Sequence, residues 1–257
     1  MAKKFTLKIY RGTSGNQYWE TFELELKPFY NVTSALMDIQ KNPVNKKGEK
    51  VTPVTWEQGC LEVVCGSCSM LVNSRPMQAC VVLIEKVLQA TGSDLITLAP
   101  FTTFPVIKDL VVDRSSMFES LKKIEAWIET DDSLDRGFGP KIDPKVQEER
   151  YILSTCMTCG CCVEACPQMN SRSKFIGPAA ISQVRLFNSH PIGKLTAKER
   201  LQPLMEEGGV SDCGDAQNCV QVCPKEIPLT ESIALMSRKV AGEGLRRLLD
   251  TDDASSM

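Results

Sequence analysis

The chain has 257 residues, enough for two domains that each bury a core. Its 30 basic and 32 acidic residues are mixed along the sequence, for a net charge of −2, which argues against a basic face for nucleic acid or anionic lipid. The longest apolar stretches, such as "CVVLI" at 80–84, fall far short of the roughly 20 residues that cross a bilayer. The opening "MAKKFTLKIY" has neither the apolar core nor the cleavage site of a secretory signal, so it reads as a first strand in a chain expected to stay in the cytoplasm.

Residues 5–10, "FTLKIY", and 20–26, "ETFELEL", alternate apolar and polar and predict a β-hairpin across a Gly/Asn-rich turn. "NVTSALMDIQKN" predicts a short helix capped by Thr33 or Asn31, carrying Leu36, Met37 and Ile39, and stopped by Pro43. Trp56 reads as a core or interface aromatic, although it could also conduct electrons.

"CLEVVCGSC" and the following "SMLVNSRPMQAC" place Cys60, Cys65, Cys68 and Cys80 at the plant-type spacing for a [2Fe-2S] cluster. A loop of this kind converges three thiolates and several backbone N–H groups on the irons, and Gly66 lets the backbone approach closely. The strand-turn-strand after Cys68, with Met70, Leu71 and Val72 as its core, returns Cys80 to the same place. Zinc could also take four cysteines, but its sites favour two Cys-x2-Cys pairs, and here the first pair is stretched. Twelve cysteines beside a single histidine, His190, fit iron–sulfur chemistry better than haem, Rieske or Cys/His zinc sites. His190 itself reads as a loop or helix-end residue.

Near residue 106 the alternating pattern gives way to a helical one, which predicts an α+β chain with domains at 1–106 and 107–257. "SSMFESLKKIEAWIE" offers Ser116 and Glu119 as a capping box, with Phe118, Leu121, Ile124 and Ile128 on one face. Cys156, Cys159, Cys162, Cys166 and Pro167 then follow the bacterial ferredoxin pattern, whose fourth cysteine ligates the other of two clusters. A shift of 57 residues carries Cys156, Cys162, Cys166 and Pro167 onto Cys213, Cys219, Cys223 and Pro224. Only Cys159 finds no thiol, because its counterpart is Ala216.

With the last cysteines exchanged, Cys156, Cys159, Cys162 and Cys223 form a [4Fe-4S] set. Cys166, Cys213 and Cys219 are left with one corner missing, which predicts [3Fe-4S]. Asp215 or solvent on a fourth iron is the weaker alternative, carboxylate being a poor match for a soft site. Register makes Cys161 the spare, read as a small buried residue. Each Cys-Pro fixes the exit of the chain past a cluster. "AAISQVRLFNS" after Gly177-Pro178, "TAKERLQPLMEEGG", and a segment from about Leu229 to Asp250 behind Thr230 as cap predict the remaining helices.

This order of cluster motifs, with "CGSC", "CGCCVEACP", "SKFIGPA", "RLFNSHP" and "NCVQVCPKEIP", resembles the iron–sulfur subunits of succinate dehydrogenase and quinol:fumarate reductase over essentially the whole chain. The resemblance implies an N-terminal β-grasp ferredoxin domain followed by an α-helical bacterial-type ferredoxin domain. It also implies partnership with a flavoprotein carrying covalent FAD and the dicarboxylate site, and with a membrane cytochrome b anchor. In that family electrons pass from succinate through FAD and the three clusters to quinone, or in the opposite direction toward fumarate. Such a chain is peripheral, held by its anchor at the cytoplasmic face of the bacterial plasma membrane.

Several positions depart from ubiquinone-linked members. Leu61-Glu62-Val63 stands where they carry Arg-Glu-Gly, and Ser171 and Gly214 occupy the places of a quinone-pocket Trp and His. With "NPVNKKGEK" and "SKFIGPAAISQVRLFN", the chain looks most similar to the Bacillus-type, menaquinone-linked class with a dihaem anchor, from which electrons could leave through haem. Arg172, Lys174 and Arg185 are either solvated or interface charges, or contacts to propionates, quinone or lipid headgroups.

Overall fold

Alternation decides the first strand. In β1 (Lys4–Thr13), Phe5, Leu7, Ile9 and Arg11 face inward while their neighbours are more exposed. In this computed structural model, which describes residues 3–129 and 139–254 with side chains to residue 249, β1 pairs antiparallel with β2 (Asn16–Glu25) along its whole length. It also lies parallel to β5 (Leu95–Ala99), a pairing that requires a crossover.

The crossover contains α1 (Val32–Lys41), β3 (Ser69–Val72), β4 (Arg75–Gln78) and α2 (Ile84–Thr91), and the sheet order is β2-β1-β5-β3-β4. Asn31 is the helix cap: its Oδ1 accepts from Ser34 N at 2.8 Å, and buried Thr33 donates its hydroxyl to the same oxygen. Asn73 and Ser74, both at positive φ, make the two-residue turn of the β3–β4 hairpin. Met70, Val72 and Trp56 join Leu7, Leu36 and Ile96 in the core of this unit.

The short pair β6 (Val106–Lys108) and β7 (Val111–Val112) presents Asp109 at the bend. Its carboxylate accepts from Gly12 N and Thr55 N, each at 2.8 Å, and from Arg11 Nη2 at 3.3 Å. Arg11 is 1% exposed and also pairs with Glu20. This ion cluster ties residues just beyond 106 to the sheet, and the first compact unit comprises Met1–Arg114 with Met157–Ala165.

The second unit, Ser115–Cys156 with Cys166–Met257, is helical. Its members are α3 (Ser115–Lys123), α4 (Pro144–Ser154), α6 (Pro178–Asn188), α7 (Ala197–Met205), the single turn α8 (Asn218–Gln221) and α9 (Leu229–Ala254). α5 (Cys161–Glu164) belongs to the first unit. Helix α6 lies against α3, α4, α7 and α9, around a core that includes Ile124, Phe175, Ile181, Val184 and Met236.

Two local expectations are corrected. Helix α3 ends at Lys123 and the chain reverses at Glu125 with φ 48°, so the proposed stripe is cut short. Met117 and Ile124 are buried, whereas Phe118 is 59% exposed. Arg200 holds the reversal by donating Nε to Glu125 O at 3.0 Å and Nη2 to Trp127 O at 2.8 Å. Helix α9 already includes Leu229, which puts Thr230 inside its first turn rather than at the cap.

Removing one partner of the buried Arg11–Asp109 cluster leaves a charge uncompensated. Asp109→Ala is expected to destabilise the first unit by about 3–5 kcal/mol, measured as a lower denaturant midpoint for loss of its native signal.

Candidate metal centres

The loop Gly59–Cys68 is shaped for negative sulfur. Leu61 and Val63 sit at φ 61° and 57°, and Gly66 at 75°. Such alternation turns successive N–H groups toward one point, forming an anion nest. Cys60 Sγ occupies that point, accepting from Glu62 N at 3.3 Å, Val64 N at 3.2 Å and Cys65 N at 3.3 Å. Cys65 Sγ accepts from Cys60 N at 3.4 Å and Ser67 N at 3.5 Å.

The Ser67 side chain, followed by those N–H groups, lowers the Cys65 thiol to about 6. Burial pushes Cys68 up to about 12, with the Cys80 thiol alongside it. The turn Ala79–Val81 delivers Cys80, and Ala79 N donates to Cys68 O at 3.0 Å. Four thiols and a ring of N–H donors thus fit a binuclear cluster. A Cβ at Gly59 would come within 2.9 Å of Cys65 Sγ, so the cradle has no spare room there. Among the described residues, no three Cys, His, Asp or Glu side chains converge as a mononuclear site requires.

The two later cysteine runs share one backbone. Thr158 (φ 53°) and Gly160 (φ 88°) in the first run match Asp215 (φ 50°) and Gln217 (φ 58°) in the second, each 57 residues on. The helical turn α5, Cys161–Glu164, matches α8, Asn218–Gln221, at the same shift. Cys166 O accepts from Met169 N at 3.0 Å, and Cys223 O accepts from Glu226 N at 3.1 Å. Gln217 takes the left-handed conformation without being glycine, an uncommon state that a repeated local geometry accounts for. Ala216 therefore falls at the Cys159 position by conformation as well as by spacing.

Cys159, Cys161 and Cys162 are buried in the first unit. Glu164 fixes their segment there by accepting from Thr102 N at 2.8 Å and Thr103 N at 2.9 Å. Arg114 Nη1 donates to Gly66 O at 2.9 Å and Cys159 O at 3.4 Å, while its Nη2 pairs with Glu57 at 2.6 Å. A hydrogen bond from Cys161, opposed by burial and aided by Arg114, holds Cys159 at about 7. The same bond and burial push Cys161 above the ordinary thiol range.

Cys156, Cys166, Cys213, Cys219 and Cys223 lie in the second unit. Cys166 and Cys213 pack against its apolar core beside Met169 and Val210. Burial raises Cys219 to about 11, and negative charge on Cys166 and Cys213 adds to the rise, which places these three sulfurs within electrostatic reach of one another. Cys213 Sγ is 3.9 Å from Asp215 Oδ1. A soft, apolar pocket with three thiols suits a trinuclear cluster.

Two family models match the chain: a 2Fe-2S iron-sulfur cluster binding domain over residues 6–119, and a 4Fe-4S dicluster domain over residues 152–227. The succinate dehydrogenase iron-sulfur subunit of Bacillus subtilis is 55% identical over 235 residues, covering 91% of both chains. The fumarate reductase iron-sulfur subunit of Wolinella succinogenes is 34% identical, covering 70% of this chain and 75% of that one. The chain belongs to the succinate dehydrogenase/fumarate reductase iron–sulfur subunit family. A chain of the Mycobacterium smegmatis Sdh1 complex shares the fold at a TM-score of 0.79 and 22% identity, over 95% of this chain and 98% of that one.

As an iron–sulfur subunit of succinate dehydrogenase, the protein also shows which of its charges are structural. Arg185 is buried and bonds Glu231 at 2.8 Å, Glu149 at 3.3 Å and Ser232 at 3.3 Å, so it braces α6 against α4 and α9. Lys174 forms an exposed pair with Glu207, and Arg172 N bonds Asn170. His190 follows α6, where its Nδ1 accepts from Ile192 N at 3.2 Å; burial and then Arg150 lower its pKa. Gln78, Arg114 and Glu164 have no spacing signature and emerge only from the folded contacts.

Gly66 is the tightest point of the first site. A Cβ there would stand 2.8 Å from Met157 O and 3.0 Å from Cys159 Cα, at a φ that disfavours side chains. Gly66→Ala is expected to yield a subunit depleted in iron, with the binuclear EPR signal reduced most.

Proposed function

We propose that this chain is the electron wire of a succinate:quinone oxidoreductase, joining the FAD of a flavoprotein subunit to a membrane anchor. Cys60, Cys65, Cys68 and Cys80 hold [2Fe-2S]. Cys156, Cys159, Cys162 and Cys223 hold [4Fe-4S], and Cys166, Cys213 and Cys219 hold [3Fe-4S]. The shared backbone of the two runs, with Ala216 standing at the Cys159 position, carries this assignment. Bound clusters supply one-electron chemistry, while the residues described here hold sulfur, aim N–H dipoles at it and limit water.

The dicarboxylate site lies on the flavoprotein, since this chain contributes cluster ligands rather than an acid, base or nucleophile constellation. Leu61 and Val64 are exposed beside Cys60 and Cys65 and give that edge an apolar rim for a partner. Succinate oxidation is the direction favoured by the 55% identity to a succinate dehydrogenase subunit.

The chain is peripheral at the cytoplasmic face of the membrane: no helix among the described residues is long and apolar enough to cross it. Its anchor is a dihaem cytochrome b and its quinone is menaquinone. That reading is supported by Ser171 and Gly214 at the two quinone-pocket positions, where a Cβ on Gly214 would stand 2.5 Å from Gln168 Nε2.

The assignment of the incomplete site is tested by Ala216→Cys. Supplying the fourth thiolate is expected to convert the trinuclear cluster toward a cube, seen as loss of the EPR signal of the oxidised complex and gain of about one iron per chain. An unchanged signal and iron content would overturn the alignment of the two runs.

A further inference from the structure

Gln78 ends β4 two residues before Cys80, with its side chain in the core of the first unit and 1% exposed. Its Nε2 donates to Ser69 Oγ at 2.6 Å and to Cys161 Sγ at 3.4 Å, and its Oε1 lies 3.6 Å from Cys68 Sγ. Ser69 Oγ passes the chain on to Gly66 O at 2.6 Å. One buried amide therefore touches a ligand of the first cluster and the one cysteine that no cluster uses.

Burying a carboxamide costs free energy unless every polar atom finds a partner. An apolar side chain would satisfy the inward alternation of β4 without that cost. What distinguishes the amide is its dipole.

A cysteine bound to iron has lost its proton and can only accept hydrogen bonds. The amide end that attracts it is Nε2, and the two ends of a carboxamide are assigned by their hydrogen-bond network. A thiol at Cys161 suits either orientation, because its sulfur accepts from Nε2 and its S–H donates to Oε1. An N–H aimed at a ligand sulfur favours the reduced, more negative cluster and so raises its potential.

We propose that Gln78 sets the reduction potential of the [2Fe-2S] cluster through its contact with Cys68 Sγ, and that Cys161 is the post that orients it. The proposal rests on Cys68 being a ligand of that cluster, as in the preceding section. It gives the spare cysteine a role: Cys161 acts on the first cluster through the amide, without ligating iron.

The test is a redox titration of the intact membrane complex, followed by low-temperature EPR, with total iron measured on the same samples. In Gln78→Leu, the midpoint of the [2Fe-2S] signal is expected to fall, with that of the trinuclear signal unmoved and iron retained. Cys161→Ala should lower the same midpoint by a smaller amount, again with iron unchanged. A binuclear midpoint that stays put or rises in either fully loaded variant would overturn the proposal. Should Gln78→Leu fail to assemble, Cys161→Ala decides alone, since trimming a small side chain that binds no iron spares the ligands. A complex without substitutions that shows no binuclear signal would instead defeat the ligand assignment, which separates the two failures.

Discussion

Negative sulfur inside a protein has to be met by hydrogen-bond donors, and the nearest donors are the backbone N–H groups of the loop that carries it. That constraint shapes every cysteine run here. To aim consecutive N–H groups at one atom, the chain must alternate right- and left-handed residues, and Leu61, Val63, Thr158, Asp215 and Gln217 all accept positive φ without being glycine. Each such residue is conformationally expensive. The rest of the fold holds these loops in shape. Arg114 grips the carbonyls of Gly66 and Cys159, Glu164 ties the 157–165 segment to Thr102 and Thr103, and Ala79 N locks Cys80 to Cys68.

The two later runs show how little change alters the inorganic chemistry of a conserved local backbone. Both copies make the same left-handed steps, the same single helical turn and the same bond across Cys-Pro. The difference lies in one side chain, Ala216 in place of a thiol. Pairing a complete run with an incomplete one lets one chain hold centres of different nuclearity, and hence of different potential, with no second architecture.

Much of this was legible in sequence because ligand spacing is a covalent, local property. Four cysteines around one cluster must obey short separations whatever surrounds them, and the 57-residue echo needs only counting. Strand alternation in residues 5–10 and Asn31 as a possible cap were readable for the same local reason. Contacts set by tertiary packing were not. Asp109 draws the chain beyond residue 106 onto the sheet through Arg11, a pairing 98 residues apart. Met117 takes the inward place expected of Phe118, because the reversal at Glu125, held by Arg200, sets where α3 ends. Gln78 looks like any polar residue near a strand end until its neighbours are known.

The central claim is that eleven thiolates are divided among three inorganic centres, one of which lacks a corner. Mössbauer and EPR spectroscopy of the intact, anaerobically purified complex address it most directly, because they count irons and resolve each cluster type together. The expected result is about nine irons per chain, in a binuclear, a tetranuclear and a trinuclear cluster, the last paramagnetic when oxidised. Two centres only, or a third site fully occupied through four thiolates, would contradict it.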